Sequence, residues 1–336
     1  MTFLRPIYLS IAAVAFAATL FGFSPTRAAA SPGVVSPSFQ TLPRMDRAGS
    51  PEIGPTGPVA YDSIQWYPSG TQKSVSSAAY SMGYECCELN AFGDAVTIVH
   101  PGARLKDVGA VFSVWACQTG SGTDGSCRTT KGATFTLPIT MTVYAACPAS
   151  NPNCTPTPYA PPGAILAEMT ATKIFKYRPS ASPRCNIPSQ NLGGFIDPVT
   201  KYCTYGLAQV ETFNMSLPKV LLPASIVVSV AFNTSSYGAN PYGYNTQCFI
   251  NGNCPYDSLN VQLLEPYPTP PSWTPAITGS VWDSNGLFLN AAGSYPACSD
   301  PSFPLNQVAL DDNSQSNPSQ VCWPLVYHPQ IEVTSF

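Results

Sequence analysis

The sequence predicts an all-β protein, a two-sheet antiparallel sandwich stapled by disulfides, with the jelly roll as one topology of this class. Two observations carry this prediction. Charged residues make up 10% of the chain, against about 25% in ordinary soluble domains, which is too few to cover the outer faces of several amphipathic helices. Short runs of β-branched and aromatic residues recur along the chain, and Gly, Pro, Asn and Ser separate them, as turns separate strands.

The strand pattern is clearest in "ATFTLPITMTVYAAC" (133–147), where apolar residues alternate with threonine. The alternation predicts a half-buried strand, in which Pro138 suggests an edge or a bulge. The inward face would carry Phe135, Leu137, Ile139, Met141 and Val143. Residues 105–117 are apolar on both faces, and no window of about twelve residues has a helical period. Further strands are predicted within 95–100, 164–177, 205–217, 225–233, 258–264, 279–290 and 330–336.

The first 30 residues have the layout of a secretory signal peptide. Arg5 precedes an apolar stretch, and Ala28 begins a run of small residues suited to cleavage. An uncleaved membrane anchor is the alternative, because the apolar stretch is near the minimum length for a span. We expect residues 31–60, rich in Pro, Gly and Ser, to be a flexible lead-in, and residues 61–336 to form a single β-sandwich domain. The mature chain is then secreted or at the cell surface, without membrane insertion.

All 12 cysteines follow this N-terminal segment, so an oxidising compartment would turn them into a disulfide framework. Ten of them fall into neighbouring pairs that each bracket a loop. We predict the local bridges Cys117–Cys127, Cys147–Cys154, Cys185–Cys203, Cys248–Cys254 and Cys298–Cys322. A metal site is not predicted, because no C-x-x-C pair occurs and the chain has only two histidines, His100 and His328. No cofactor is predicted either.

The adjacent cysteines Cys86 and Cys87 remain after this pairing. Neighbouring Cα atoms lie about 3.8 Å apart, whereas disulfides usually join Cα atoms about 4.4–6.8 Å apart. A bridge between them therefore needs a distorted or cis peptide bond. Three interpretations stay open: a strained vicinal disulfide, bridges to two distant partners, or two free thiols.

Common catalytic signatures are missing from the sequence, among them G-x-S-x-G, H-E-x-x-H and the P-loop. His100 and His328 each precede a proline at a strand end, where a structural or surface role is the simpler interpretation. Glu168 and Glu211 lie in the middle of predicted strands and are the alternative candidates for the paired carboxylates of a glycoside hydrolase. The net charge of −3 offers no basic stripe for nucleic acid and no patch for anionic lipid.

The stretch "SSYGANPYGYNTQCFINGNCPYDSLNV" (235–261) interleaves tyrosines with asparagines and glycines. Aromatic rings cover the C–H face of a neutral sugar, while amides and carboxylates bind its hydroxyls. The candidate ligand-binding residues are Tyr242, Tyr244, Tyr256, Asp257 and Asn260. The alternative is a disulfide-pinned loop whose tyrosines pack on the sandwich and whose asparagines and glycines make turns.

Four segments, "FGDAVTIVHPGARLKDVGAVFSVWAC", "GATFTLPITMTVY", "FKYRPSA" and "NPYGYNTQC…CPYDSLNV", resemble an uncharacterised family of secreted, cysteine-containing β-rich proteins of bacteria and fungi. The resemblance spans roughly residues 75–336. It implies secretion and a single β domain, and it supplies no catalytic residue. Small polar residues are expected in that family where Cys86 and Cys87 stand, which implies that the double cysteine arose as a unit and favours the vicinal bridge.

Three functional hypotheses follow. The first, which the sequence favours, is a non-catalytic β-sandwich that binds a glycan or cell-wall polymer through the Tyr/Asn-rich stretch. The second is a secreted polysaccharide hydrolase that uses Glu168 and Glu211. The third is a structural envelope or matrix protein, in which low charge and many disulfides provide durability. The sequence does not predict an oligomeric state.

Overall fold

Antiparallel strands dominate the fold, as the sequence predicts. The computed structural model describes residues 57–69, 72–77, 79, 81–83, 89–120, 125–146, 162–185, 193–217, 219–232, 259–263, 280–281, 286–291, 308–312 and 328–336. They all belong to one compact unit, Ser31–Phe336. Within these ranges there is no α-helix, and the helical geometry is confined to a 3-10 turn at Pro183–Cys185. No helix of the described ranges is long and apolar enough to cross a membrane.

The strands are numbered in chain order. They are β1 Val59–Asp62, β2 Trp66–Ser69, β3 Gln72–Val75, β4 Ser81–Gly83, β5 Leu89–Thr97, β6 Leu105–Val114, β7 Thr134–Ala145, β8 Ile165–Lys176, β9 Phe195–Ile196, β10 Cys203–Thr204, β11 Leu207–Asn214, β12 Ser225–Phe232, β13 Leu259–Gln262, β14 Ser280–Val281, β15 Gly286–Ala291, β16 Val308–Asp312 and β17 Ile331–Ser335. Because β1 begins at Val59, the first strand spans the predicted boundary between residues 60 and 61.

The first of the two large sheets is organised around β6. Its strand order is β1-β17-β6-β13-β4, and β11 pairs with β6 as well. On one side β6 pairs with β11 along eight successive residues, from Leu207↔Val114 to Asn214↔Asp107. On the other side β17 and β13 share the length of β6, with Ile331 opposite Ala110 and Val261 opposite Phe112. Apart from its ends, β6 is therefore an interior strand, in agreement with its apolar sequence.

The second large sheet has the order β16-β15-β5-β12-β7-β8, with β14 also paired to β5. The alternation in β7 is as predicted: Phe135, Leu137 and Ile139 are buried, and Thr134 and Thr136 are exposed. Pro138 lies one residue beyond Ile139, the last residue of β7 that pairs with β12. The missing N–H of the proline is thus placed where the ladder to β12 has ended.

The core lies between the inner faces of the two sheets. Phe112 of the first sheet contacts Phe175 and Phe232 of the second sheet. The distances between ring centroids are 5.3 Å to Phe175 and 5.9 Å to Phe232. Both contacts are edge-to-face, the arrangement that aromatic quadrupoles favour. These contacts establish the sandwich; the jelly-roll topology stays a prediction.

A second apolar cluster covers the outer face of the first sheet. The β2–β3 hairpin contributes Val75, which is buried together with Ile64, Val111, Ala208 and Val210. The outward residues of β6 and β11 are therefore shielded from water, and this explains why residues 105–117 are apolar on both faces.

Two disulfides lie in the described part of the chain, and both are local bridges that the sequence predicts. Cys117–Cys127 joins Cα atoms 5.5 Å apart, and Cys185–Cys203 does the same at 5.5 Å. The second bridge fixes β10 to the 3-10 turn. The other eight cysteines, Cys86, Cys87, Cys147, Cys154, Cys248, Cys254, Cys298 and Cys322, lie outside the described residues.

Candidate functional site

A pocket of about 130 Å³ opens at the strand β11, between β3 and a turn at residues 197–202. Among the described strands β11 pairs with β6 alone, so its other edge faces this space and the neighbouring β8. We call this space the β11 pocket. Leu207, Ala208 and Gln209 form its β11 side.

The β3 side of the pocket consists of Ser74, Val75 and Ser77. The hydroxyl of Ser77 accepts a hydrogen bond from the backbone N–H of Ala208 at 3.0 Å, and the Ser77 carbonyl accepts one from the hydroxyl of Thr204. These bonds fix Ser77, two residues after β3, to both β10 and β11. The pocket walls are therefore set by backbone contacts and the buried cluster behind them.

A carboxylate organises the third wall. Asp197 is fully buried and accepts hydrogen bonds from the Thr200 hydroxyl at 2.6 Å, the Thr200 N–H at 3.0 Å and the Ser76 hydroxyl at 3.2 Å. This Asx-type turn holds Pro198 and Val199 against the pocket. The contact with Ser76 ties the turn directly to the residue that follows β3.

The fourth wall comes from the second sheet through Gln209. Its amide oxygen accepts from the N–H of Lys176 at 3.1 Å, and its amide nitrogen donates to the carbonyl of Ile174 at 2.7 Å. The side chain thus pairs with β8 as a neighbouring strand would, and it joins the edges of the two sheets. Lys176 is exposed and lines the pocket, which gives the pocket an ammonium group at its mouth.

Ser74 has an unusual environment. Ser74 lines the pocket but is only 6% exposed. Its hydroxyl is buried and has no hydrogen-bond partner. An unsatisfied buried hydroxyl is costly, and such groups are rare in folded proteins. The pocket therefore presents a polar group that a bound ligand could satisfy.

An aromatic stack lies next to the pocket. The rings of Trp115 and Tyr205 are nearly parallel, with an interplanar angle of 8° and centroids 5.5 Å apart. The indole N–H of Trp115 donates to the Ser81 hydroxyl at 3.2 Å. Because Tyr205 precedes Leu207 by two residues, the chain keeps it within about 7 Å of the pocket wall, Cα to Cα. Trp115 is buried and Tyr205 is half-buried.

Gly206 permits this close approach. A Cβ atom at Gly206 would overlap the Ser113 hydroxyl and lie 2.7 Å from the indole nitrogen of Trp115. A larger residue would therefore separate β11 from β6 at the point where the stack forms.

We expect Tyr205 to make stability depend on alkaline pH. Burial raises the pKa of Tyr205 to about 12, although the nearby Arg178 opposes the rise; an ordinary tyrosine has a pKa near 10. The unfolded phenol ionises first, so the stability contributed by Tyr205 is complete below about pH 10 and is lost as the pH rises toward 12. Urea unfolding between pH 8 and 11 should show that the free energy of unfolding falls more steeply with pH in the wild type than in Tyr205→Phe. Equal dependence of the free energy of unfolding on pH in the two proteins would contradict this assignment.

The tyrosine-rich stretch predicted to bind ligand is only partly described. Tyr242, Tyr244, Tyr256 and Asp257 lie outside the described residues. The flanking residues are placed: Phe232 contacts the Phe112 ring, and Leu259 pairs with Val114, the residue before Trp115. Leu259, where the described chain resumes, therefore lies beside the end of β6 that carries the aromatic stack.

Asn260, a candidate ligand-binding residue of the sequence analysis, lies inside the fold. It is fully buried on β13, and its side-chain amide donates to the Ser81 hydroxyl at 3.2 Å. The same hydroxyl accepts from Trp115. Asn260 thus supports the aromatic stack from within the fold, because it sits opposite Ser113 in an interior row of the sheet.

The two candidate catalytic carboxylates are not arranged as a pair. Glu168 is exposed and accepts a hydrogen bond from the Thr142 hydroxyl at 3.1 Å. Glu211 lies 3.5 Å from the ammonium of Lys173 and accepts from Gln209 at 2.6 Å. Glu168 and Lys173 are five residues apart, so they project from opposite faces of β8, roughly 16 Å apart along the strand. Glycosidase carboxylates lie about 5–9.5 Å apart, so this geometry does not support the hydrolase hypothesis.

In the described ranges, no three His, Cys, Asp or Glu side chains gather into a group that could hold a metal ion.

Sequence analysis did not identify Ser74, Gln209 or Tyr205 as site residues. Only Tyr205 had a recognisable cue, since it begins a predicted strand, and the other two depend on which strands become neighbours.

No protein-family model matches this chain, and comparison with curated proteins and with solved structures finds no significant match.

Proposed function

We propose that this protein is a secreted or cell-surface, non-catalytic β-sandwich that binds a glycan or cell-wall polymer. The single observation that carries the proposal is the β11 pocket, with its hydroxyl, amide and ammonium groups, beside the half-buried ring of Tyr205. An aromatic face next to hydrogen-bonding groups is the combination that neutral sugars require.

Secretion is supported by the N-terminal signal-peptide layout and by the two disulfides, because disulfides persist in oxidising compartments. Tyr242 and Tyr244 remain sequence-based candidates for extending the binding surface, since Leu259, where the described chain resumes after them, lies beside the Trp115 end of β6.

The binding test is a pull-down of the purified mature protein with a panel of insoluble polysaccharides. We expect at least one to retain the protein, and Tyr205→Ala to weaken retention about threefold to tenfold, the range that loss of one aromatic contact produces. The Tyr242→Ala/Tyr244→Ala variant should act in the same direction. Thr172→Ala, an exposed position on β8, serves as the matched control and should bind like the wild type.

The same samples distinguish the other hypotheses. No sugar should be released from the polysaccharides during incubation. Release that Glu211→Gln abolishes would instead identify a hydrolase. Self-association of the protein without retention by any polymer would identify a structural envelope or matrix protein.

A further inference from the structure

The size of the β11 pocket limits what it can receive. Its volume of about 130 Å³ is well below the roughly 300–1,000 Å³ of pockets that enclose whole drug-sized ligands. A polysaccharide would therefore insert a substituent of one sugar residue into it, while the ring stayed outside.

The pocket walls specify the chemistry of that substituent. One side is apolar, with Val75, Leu207 and Ala208. The other side offers the unsatisfied Ser74 hydroxyl, which can donate and accept, and the Lys176 ammonium as a donor. A fitting group needs a small apolar end, a hydrogen-bond acceptor and a donor.

Three common sugar substituents can be compared with this requirement. A hydroxymethyl group lacks the apolar end. A carboxylate lacks the apolar end as well, and it has no N–H or O–H to donate. An acetamido group has a methyl for the apolar wall, a carbonyl to accept from Ser74 or Lys176, and an N–H to donate.

We propose that the β11 pocket receives the acetamido group of an N-acetylated amino sugar in a polysaccharide. This inference rests on the proposed glycan-binding function and specifies its substrate class. Tyr205, within about 7 Å along the chain, would cover the C–H face of the same or the adjoining sugar.

The experiment compares the wild-type protein on oligomers of N-acetylglucosamine, glucosamine and glucose by titration calorimetry. We expect the acetylated oligomer to bind at least about tenfold more tightly than the others, because each of the others leaves the pocket groups unpaired.

Ser74→Ala provides the matching variant. It removes a hydroxyl that has no partner in the free protein, so stability should be unchanged or slightly raised. Affinity for the acetylated oligomer should fall about threefold to tenfold, the value of one hydrogen bond. Thr212→Val is the control, because Thr212 also carries a buried hydroxyl without a partner but does not line the pocket. It should leave affinity unchanged.

Equal binding of acetylated and non-acetylated oligomers, or equal losses in the two variants, would overturn the acetamido assignment while leaving glycan binding intact. Absence of binding to all three oligomers and to every polymer in the pull-down would overturn both proposals.

Discussion

Replacing Phe112 by alanine is expected to lower the free energy of unfolding by about 3–5 kcal/mol. Phe112 is fully buried on β6, and its ring contacts Phe175 and Phe232 of the opposite sheet. Alanine would leave a cavity between the sheets that the paired strands around it cannot close. Because domains are stable by only about 5–15 kcal/mol, this loss is a large part of the total.

Urea unfolding followed by tryptophan fluorescence measures the effect of Phe112→Ala. Leu217→Ala is the matched control, since Leu217 is 76% exposed and surface truncations usually change stability by no more than about 0.5 kcal/mol. Similar unfolding midpoints for the two variants would show that the sheets do not depend on this contact.

The second large effect is expected at a buried polar pair between the sheets. Asp94 projects from β5 on the face that also carries Phe92 and Val96, which are core residues. Its carboxylate lies 2.9 Å from Nδ1 of His328, which precedes β17, and the two side chains are 0% and 8% exposed. Burial, and next the charge of Asp94, raise the pKa of the neighbouring Tyr61 phenol above its ordinary range, in keeping with a dry site.

His328→Ala should therefore cost about 3–5 kcal/mol, because it leaves a buried carboxylate without its imidazole partner. The double variant Asp94→Leu/His328→Leu should recover much of that loss, since an apolar pair of similar volume avoids the desolvation cost. Denaturant unfolding of Asp94→Leu, His328→Leu and the double variant gives the coupling free energy. Single variants within about 0.5 kcal/mol of the wild type would contradict the importance of the pair.

Sequence reasoning predicted the elements whose pattern is local. Three such features are visible in the sequence: the Thr/apolar alternation of β7, the two apolar faces of β6, and the short loops inside Cys117–Cys127 and Cys185–Cys203. Each depends on residues within about twenty positions of one another. Side-chain alternation and loop closure act over that range, so their effects can be deduced without knowing the fold.

The remaining features depend on contacts between distant segments. The strand β3 has few apolar residues and gains its place by covering Val111 and Ala208. Asp94 reads as a polar residue in a strand, and only the approach of His328 from the other sheet accounts for its burial. Gln209 pairs with Ile174 and Lys176, which is a property of two sheet edges that meet. Sequence periodicity carries no information about contacts between segments that are distant in the chain.

The position of β17 has a consequence for how the chain matures. This strand follows all other described strands in sequence, yet it lies between β1 and β6, with Val333 opposite both Tyr61 and Val108. Joining segments so far apart has a high entropic cost, and it is slow. Until β17 arrives, β1 has no partner among the described strands. In a nascent chain the first sheet would therefore stay incomplete until β17, the last described strand, has been synthesised.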